Sequence, residues 1–303
     1  MTPFSHQSIS LPTHVTLGVW TAGDPAGLPV IFLHGFPESH RTWRHQMTAL
    51  SAAGYYCIAP DQRGFAGSSK PPEVSDYTPD KPVADLFALA DALGLPTFTL
   101  AAHDWGGAIA WMAALKRPER IERLIMCNSA HPLVFQRTLY DDMGQRAASQ
   151  YMNVFKGDRI DKSIAEKGLE WFYDHSFMRH LTPEQMDPQE REIYLSEWRT
   201  DNAITSMLKW YKATNMVVPP MEGAVERPAF LDKRFPVIDI PTLVVWGMDD
   251  PALLPCQLEL DGLVSDLTII RISDCGHFVT WEAPDKVNTA MLEWLAEHLG
   301  GCA

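Results

Sequence analysis

The chain has 303 residues and a formal net charge of −13, with 46% hydrophobic and 21% charged residues. This size and composition fit a globular chain of one large domain, or a domain with an insertion. An acidic chain without a basic patch argues against binding to a phosphate backbone, so we expect no nucleic-acid partner.

The start of the sequence and its cysteines give no sign of export. The segment MTPFSHQSISLPTH lacks a basic start followed by an apolar run, so we expect no signal peptide. No apolar stretch approaches the length needed to cross a bilayer. The five cysteines form no C-x-x-C pair, which indicates reduced thiols. We therefore expect a cytoplasmic protein with no membrane contact. The sequence leaves the choice between a monomer and a homodimer open.

Six apolar runs predict strands that are buried on both faces of a parallel sheet, because their hydrophobic residues are continuous rather than alternating. They are VIFLH (30–34), YYCIAP (55–60), TFTLAAH (97–103), RLIMCNS (123–129), TLVVWG (242–247) and LTIIRI (267–272). Helical patterns lie between several of them. In one, Ser39 is placed to cap the start and Gly54 to end the helix; the last is expected to stop at Gly300. Alternating strands and helices predict an α/β fold.

The alternation breaks between residues 132 and 235, where no convincing buried strand is found. Helical spacing recurs there in SIAEKGLEWFYDHSF (163–177) and QEREIYLSEWRTDNAITSMLKWYK (189–212). The segment PVIDIPTLVVWG (236–247) then restarts the sheet. We predict an α/β core formed by residues 1–131 and 236–303, with a helical cap, or lid, at 132–235.

The stretch AAHDWGGAIAW (101–111) joins a predicted strand to a predicted helix. Small residues around such a junction permit a strained turn that raises one side chain above the sheet, as in a nucleophile elbow. The raised residue is Asp104. The alternative is structural, because aspartate is also a good N-cap and a helix starts here.

Two later segments favour the catalytic interpretation. WGMDDP (246–251) places carboxylates just after a strand, and SDCGHFVTW (273–281) places His277 in the loop after another. The order Asp104, Asp250, His277 is the nucleophile–acid–histidine order of the α/β-hydrolase triad. Asp249 is the alternative acid. All three elements follow the carboxyl ends of parallel strands, where open α/β sheets bind ligands.

Taken together, these motifs resemble the epoxide hydrolase and haloalkane dehalogenase branch of the α/β-hydrolases, and most closely the soluble-type epoxide hydrolases. The matching motifs are HGFPES (34–39), DQRGFAGS (61–68), HDWGG (103–107), KRPERIERLI (116–125), WGMDDP and DCGH (274–277). They span about 30–131 and 240–298, whereas the first 27 residues and most of the cap match weakly. The resemblance implies an α/β-hydrolase fold: a mostly parallel central sheet flanked by helices, with an inserted helical cap.

Aspartate suits this chemistry because it is ionised at neutral pH and can attack carbon without a base. An Asp104 ester would then be hydrolysed by water that His277 activates, with Asp250 orienting the imidazolium. The expected oxyanion-hole donors are the backbone N–H groups of Phe36 and Trp105. Neither a metal ion nor a cofactor is implied.

The resemblance also implies two cap tyrosines that protonate the epoxide oxygen. Tyr151 in QYMNVFK and Tyr211 in LKWYKATN match those positions. A phenol suits this task because an alkoxide leaving group needs a proton. We expect a mostly apolar pocket for a small apolar epoxide. Its predicted walls are Phe36, Trp105, Met152, Phe155, Trp210 and Phe278.

Other interpretations remain open at this point. Hydrolytic dehalogenation would use the same Asp104 ester, and Trp171, Trp198 or Trp210 could supply an N–H to the halide. A non-catalytic binding module with the same fold is the third hypothesis. We interpret His34 and His103 as hydrogen-bonded scaffold. The natural substrate, its stereochemistry and the isomer of the Phe36–Pro37 peptide bond are not decided by the sequence.

Overall fold

The computed structural model describes residues 4–177, 180–182, 184–223 and 225–298. Its strands are β1 (Ser5–Ser10), β2 (Thr16–Ala22), β3 (Leu28–Leu33), β4 (Tyr55–Pro60), β5 (Phe98–His103), β6 (Ile121–Cys127), β7 (Thr242–Gly247) and β8 (Leu267–Ile272). They form one eight-stranded sheet in the order β1-β2-β4-β3-β5-β6-β7-β8. The strand β2 pairs in antiparallel fashion with both β1 and β4, whereas from β4 to β8 all neighbours are parallel.

The α-helices of the described chain alternate with the strands at first and then accumulate before β7. They are α1 (Arg44–Ala52), α2 (Asp80–Ala92), α3 (Asp104–Lys116), α4 (Pro132–Asp141), α5 (Met143–Ala148), α6 (Gln150–Lys156), α7 (Arg159–Lys167), α8 (Leu169–Ser176), α9 (Pro188–Trp198), α10 (Ala203–Ala213), α11 (Val279–Glu282) and α12 (Pro284–Glu297). None of these helices combines the length and the hydrophobicity that crossing a bilayer requires.

The fold class predicted from the sequence is confirmed: this is an α/β fold with a mostly parallel sheet. All six predicted strands are present, with ends within two residues of the predicted bounds. The strands β1 and β2 were not predicted. The sequence of β1, SHQSIS, is largely exposed, so it lacks the apolar run that marks a strand buried on both faces.

Two hydrophobic clusters lie on opposite faces of the sheet. On one face, α1 and α12 cover the middle strands, with Trp43, Met47 and Met291 fully buried between them. On the other face, α2 and α3 join a larger cluster that continues into the helices between β6 and β7. The sheet is therefore covered on both sides, which explains why its central strands are uniformly apolar.

The segment 132–235 contains α4 to α10 and no strand among its described residues. Each of its two predicted helical stretches is in fact a pair of helices. Gly168, with φ of 91°, separates α7 from α8, and Asn202, with φ of 60°, separates α9 from α10. The helical spacing did not reveal these breaks because both halves of each stretch keep an apolar face.

The two predicted caps of α1 differ in outcome. Ser39 does not cap α1: it precedes a short 3-10 turn, and its hydroxyl makes no capping bond. That hydroxyl instead lies 3.5 Å from Glu197 Oε1 on α9. Gly54, with φ of 92°, does follow α1 closely. The expected stop at Gly300 lies outside the described residues.

Candidate active site

Asp104 lies at a sharp strand-to-helix turn in a strained backbone conformation. The strand β5 ends at His103 and α3 begins at Asp104, whose φ is 50°. A side chain at Gly106 would place its Cβ 2.4 Å from the Leu33 carbonyl oxygen, and one at Gly107 would lie 1.7 Å from Ser129 Oγ. Only glycine fits at these two positions, so the small residues permit the turn.

The capping interpretation of Asp104 is wrong. The N-cap position of α3 is His103, and no side chain caps the helix there. The Asp104 carboxylate instead accepts a hydrogen bond from the backbone N–H of Phe36 at 2.8 Å. It is therefore aimed away from its own helix, toward the loop that follows β3.

The three residues of the predicted triad come together at the carboxyl edge of the sheet. His277 Nδ1 lies 2.7 Å from Asp250 Oδ2, and His277 Nε2 lies 3.6 Å from Asp104 Oδ2. The imidazole thus stands between two carboxylates. Asp249, the alternative acid, is exposed, and its backbone N–H donates to the Cys275 carbonyl.

Asp250 is fixed by hydrogen bonds to its carboxylate. The backbone N–H groups of Ala252 and Leu253 donate to Oδ1 at 2.8 and 2.9 Å. Asn128, just after β6, donates from Nδ2 to Oδ2 at 2.8 Å. The Asn128 side chain in turn accepts from Gly247 N–H at 2.7 Å. Asn128 therefore joins the end of β6 to the loop after β7, a role that the sequence did not indicate.

The charges around His277 set its protonation. Burial alone would lower the pKa of His277, but the carboxylates of Asp250 and Asp104 outweigh it and raise the pKa well above its ordinary value. Burial alone would raise the pKa of Asp104, but His277 holds it below its usual range. The same balance lowers the pKa of Asp250. The site therefore holds a carboxylate, an imidazolium and a second carboxylate at neutral pH.

A buried pair supports the backbone of this histidine. His103 Nδ1 lies 2.7 Å from Glu38 Oε2, and His103 Nε2 lies 2.9 Å from the carbonyl oxygen of His277. His103 and Glu38 are essentially inaccessible to solvent. The scaffold interpretation of His103 fits these contacts. The role of Glu38 was not foreseen, although a carboxylate inside the apolar motif HGFPES was a signal that it needed a buried partner.

One of the two predicted oxyanion donors already contacts Asp104. It is Phe36, as described above, and the Phe36–Pro37 peptide bond is cis. In the described chain no hydrogen bond joins the Trp105 N–H to the Asp104 carboxylate. Trp105 N–H lies at the start of α3, where the first N–H groups have no partner within the helix.

Tyr151 on α6 and Tyr211 on α10 line the same cavity as Asp104. Their ring centroids are 6.2 Å apart, and Phe36 and Phe155 pack edge-on against the Tyr211 ring. Burial raises the pKa of Tyr151, and the Asp104 and Asp250 carboxylates raise it further. Burial and the neighbouring Tyr151 likewise raise the pKa of Tyr211. Both phenols therefore retain their protons at neutral pH.

The cavity between the sheet edge and the helices has a volume of about 570 Å³, within the usual range for small-molecule sites. Three of the six predicted wall residues line it: Phe36, Phe155 and Phe278. Its described lining also includes four residues of α8: Trp171, which the sequence offered only as a halide donor, and Phe172, His175 and Ser176, which it did not indicate.

The other three predicted wall residues, Trp105, Met152 and Trp210, are not among the described lining. Met152 and Trp210 each adjoin a lining tyrosine in a helix, and successive helical side chains point about 100° apart. Trp210 instead donates its indole N–H to the Arg63 carbonyl at 3.0 Å. Trp105 packs edge-on against Tyr211, with ring centroids 5.1 Å apart, so it contacts a lining residue without lining the cavity itself.

The described residues contain no cluster of three or more histidine, cysteine or acidic side chains that could hold a metal ion. The groups at the cavity that could react are the Asp104 carboxylate, the His277 imidazole and the two phenols. Together they can attack an electrophilic carbon, move a proton to a developing anion and activate water.

The sequence profile of the alpha/beta hydrolase fold matches residues 29–284. The chain belongs to this family. Among curated proteins it is 31% identical over 284 residues to AB hydrolase superfamily protein YfhM of Bacillus subtilis, covering 93% of this chain and 94% of that protein. It is 29% identical over 313 residues to Epoxide hydrolase A of Mycobacterium tuberculosis, with 93% and 94% coverage.

The chain is also similar to solved structures of epoxide hydrolases. One belongs to a group of epoxide hydrolases from metagenomes of hot environments: it is 46% identical, with a TM-score of 0.90 and coverage of 97% of this chain and 99% of that one. A mutant of an epoxide hydrolase of Bacillus megaterium, bound to its diol product, is 27% identical, with a TM-score of 0.86 and coverage of 96% and 100%.

Proposed function

We propose that this protein hydrolyses epoxides to vicinal diols through a covalent ester on Asp104. The observation that carries the proposal is the convergence of Asp104, His277, Tyr151 and Tyr211 on one cavity. The similarity to proteins named as epoxide hydrolases supports it. We also propose residues 1–131 and 236–303 as the core and 132–235 as a cap that closes the cavity.

In the first proposed step, Asp104 Oδ2 attacks a ring carbon of the epoxide and the carbon–oxygen bond breaks. As the bond breaks, the leaving oxygen becomes an alkoxide. The conjugate acid of an alkoxide has a pKa near that of water, about 15.7. Tyr151 and Tyr211 donate hydrogen bonds to this oxygen, and one of them transfers its proton. The product of the step is a hydroxyalkyl ester of Asp104.

The second proposed step releases the diol. Esterification removes the negative charge of Asp104, one of the two carboxylates that raise the pKa of His277. The imidazole therefore loses its proton more readily, and that proton restores the phenol that the first step deprotonated. The neutral imidazole accepts a proton from water as the water oxygen adds to the Asp104 carboxyl carbon. The ester carbon–oxygen bond then breaks, the imidazolium gives its proton to the departing diol oxygen, and the regenerated Asp104 carboxyl protonates the imidazole again. Phe36 N–H, already bonded to Asp104 Oδ1, is placed to stabilise the oxyanion; such a donor contributes about 3–4 kcal/mol in other enzymes. Trp105 N–H is the proposed second donor.

Dehalogenation would need an N–H donor for the halide at the cavity, and of the candidates Trp171, Trp198 and Trp210 only Trp171 is among the described lining. A halide leaves without a proton and is held by N–H donors, but the Trp210 indole is bonded to a carbonyl of the core. The Trp105 indole is outside the described cavity lining. Two phenols beside the nucleophile suit an alkoxide better than a halide.

One assay separates the two reactions. The protein is incubated in parallel with styrene oxide and with a bromoalkane, and diol and free bromide are measured. We expect diol above the background rate and bromide at background, with Asp104→Ala inactive on both. Bromide release without diol would establish dehalogenation instead. Turnover of neither substrate, nor of a wider epoxide panel, would support the non-catalytic alternative.

A further inference from the structure

One side chain holds the loop that carries His277 on both sides of the histidine. Glu282, the last residue of α11, accepts hydrogen bonds from the Gly276 N–H at 2.6 Å and from the Phe278 N–H at 2.9 Å. These two donors belong to the residues directly before and after His277. Each carboxylate oxygen takes one of them, Oε2 from Gly276 and Oε1 from Phe278. Glu282 thus fixes the backbone at both ends of His277.

The carbonyl oxygens of the same loop have other partners. Asp249 N–H donates to the Cys275 carbonyl at 2.9 Å, and His103 Nε2 lies 2.9 Å from the His277 carbonyl oxygen. Within the described chain, neither N–H group that binds Glu282 has a second acceptor. Without the carboxylate, the loop would have to move or admit water to satisfy these two donors.

A carboxylate suits this position better than a neutral side chain. It offers two acceptor oxygens, and a hydrogen bond to an ionised acceptor is about twice as strong as one between neutral groups. Burial raises the pKa of Glu282, whereas the two N–H groups and His277 favour its ionised form. A glutamine here would present one oxygen and one NH2 group, so it could keep only one of the two hydrogen bonds.

Loss of this support should affect one proposed step more than the other. Ester formation uses Asp104, Tyr151 and Tyr211, which lie on α3, α6 and α10 rather than on the His277 loop. Ester hydrolysis needs His277 Nε2, which lies 3.6 Å from Asp104 Oδ2, within reach of the attacking water. A displacement of about 1 Å can slow such a step about a hundredfold.

We propose that Glu282 is a positioning residue for ester hydrolysis. Through the N–H groups of Gly276 and Phe278, it holds His277 where Nε2 can accept a proton from water. Glu282 is not among the described residues that line the cavity, so it acts through His277 and not on the substrate. This inference rests on the proposed function and adds a residue to its second step.

The test measures ester formation and ester hydrolysis separately, in single turnover with an epoxide that the wild type hydrolyses. Samples are quenched at intervals; intact protein mass reports the ester, and the released diol is quantified. In Glu282→Ala we expect ester formation within about threefold of the wild-type rate and ester hydrolysis about tenfold slower or more. Glu282→Gln should slow hydrolysis less, because it keeps one acceptor oxygen. If Glu282→Ala does not fold, Glu282→Gln decides alone.

The matched control is Asp187→Ala. The Asp187 carboxylate also accepts a backbone N–H, that of Gln189 at 2.8 Å, but at the start of α9. This variant should unfold at a lower temperature and keep the wild-type ratio of the two rate constants. If both steps slow equally in the folded Glu282 variants, or neither slows, the positioning role is overturned while epoxide hydrolysis stands.

A second measurement needs no turnover. The Nδ1 proton of His277, which lies 2.7 Å from Asp250 Oδ2, should give a downfield resonance in proton NMR. We expect it to broaden or shift upfield in Glu282→Ala and to stay unchanged in Asp187→Ala. An unchanged resonance in Glu282→Ala would overturn the positioning role. If the wild type hydrolyses no epoxide, the proposed function fails, and this resonance still decides whether Glu282 holds His277 in place.

Discussion

In the proposed reaction, Asp104, His277 and Asp250 each contribute one charge, and Tyr151 and Tyr211 supply the proton that the leaving oxygen needs. Asp104 needs no base because His277 outweighs the effect of burial and keeps the pKa of the carboxyl low. The tyrosines keep their protons because burial raises their pKa values. An ionised Asp104 and two protonated tyrosines can therefore be present together in one cavity at neutral pH.

Replacing Tyr151 and Tyr211 by phenylalanine tests whether their phenols supply the proton. We expect Tyr151→Phe and Tyr211→Phe each to lower kcat/KM for epoxide opening, and the double variant to lose at least about a hundredfold, the low end for general acid catalysis. The control is Tyr173→Phe on α8, a fully buried tyrosine whose hydroxyl has no partner in the described chain and which does not line the cavity. It should keep near-normal activity. A double variant that keeps most of its activity would show that the tyrosines do not protonate the epoxide.

The protonation of His277 gives a second prediction. Asp250 is the largest charge contribution that raises its pKa. Asp250→Asn should therefore lower the pKa of His277, so that the ring loses its proton at lower pH than in wild type. An NMR titration of the imidazole Cε1 resonance measures this directly. An unchanged or increased pKa in the variant would mean that Asp250 does not hold the imidazolium.

At the scale of elements, the site depends on how closely the turns after β3, β5 and β6 approach one another. Gly107 has Ser129 against its α-carbon, so a methyl group there has no space. We expect Gly107→Ala to lower the free energy of unfolding by about 1–3 kcal/mol or more, because this is the usual cost of overpacking. Activity should fall too, because Ser129 accommodates the added methyl only by moving the turn.

The control for Gly107→Ala is Gly157→Ala after α6. Its added methyl would be 3.6 Å from the nearest atoms, an ordinary contact, and its φ of −88° suits any residue. Thermal unfolding of both variants gives the comparison. Equal unfolding midpoints would contradict the close packing of Gly107 against Ser129 at the turn after β5.

The sequence predicted the central strands, and it identified Asp104, His277 and Asp250 as candidates, because both have local signatures: continuous apolar runs, and polar residues directly after them. It did not predict Asn128 and Glu38 as supporting groups, since their partners are distant in the chain: Asp250 lies 122 positions from Asn128 and His103 lies 65 from Glu38. Three of the six predicted wall residues lie outside the described lining, because a helical motif identifies the turn that faces the cavity but not which of its adjacent side chains reaches it.

At the scale of the whole molecule, buried carboxylates make stability depend on pH. Asp61 is an example outside the candidate active site: burial alone would raise its pKa, but His40 and other contacts lower it. A carboxylate whose pKa is lowered by folding stabilises the protein above its unfolded pKa, about 4. This contribution is lost as the pH falls through the lower, folded value.

We therefore expect the unfolding midpoint of the wild type to drop as the pH falls below about 4. Asp61→Asn should be less stable than wild type near neutral pH, but its midpoint should fall less steeply in acid because one of the titrating groups is gone. Scanning calorimetry across this range makes the comparison. Parallel curves for the two proteins would mean that Asp61 has the same pKa in the folded and unfolded states.

The central claim is the Asp104 ester, and trapping it is the most direct test. His277→Gln removes the proposed water-activating base but leaves the nucleophile and the tyrosines in place. After incubation with an epoxide that the wild type hydrolyses, we predict that the intact mass of the variant rises by the mass of that epoxide, and that peptide mapping locates the adduct at Asp104. An unmodified variant, with a confirmed substrate and folded protein, would contradict the covalent mechanism.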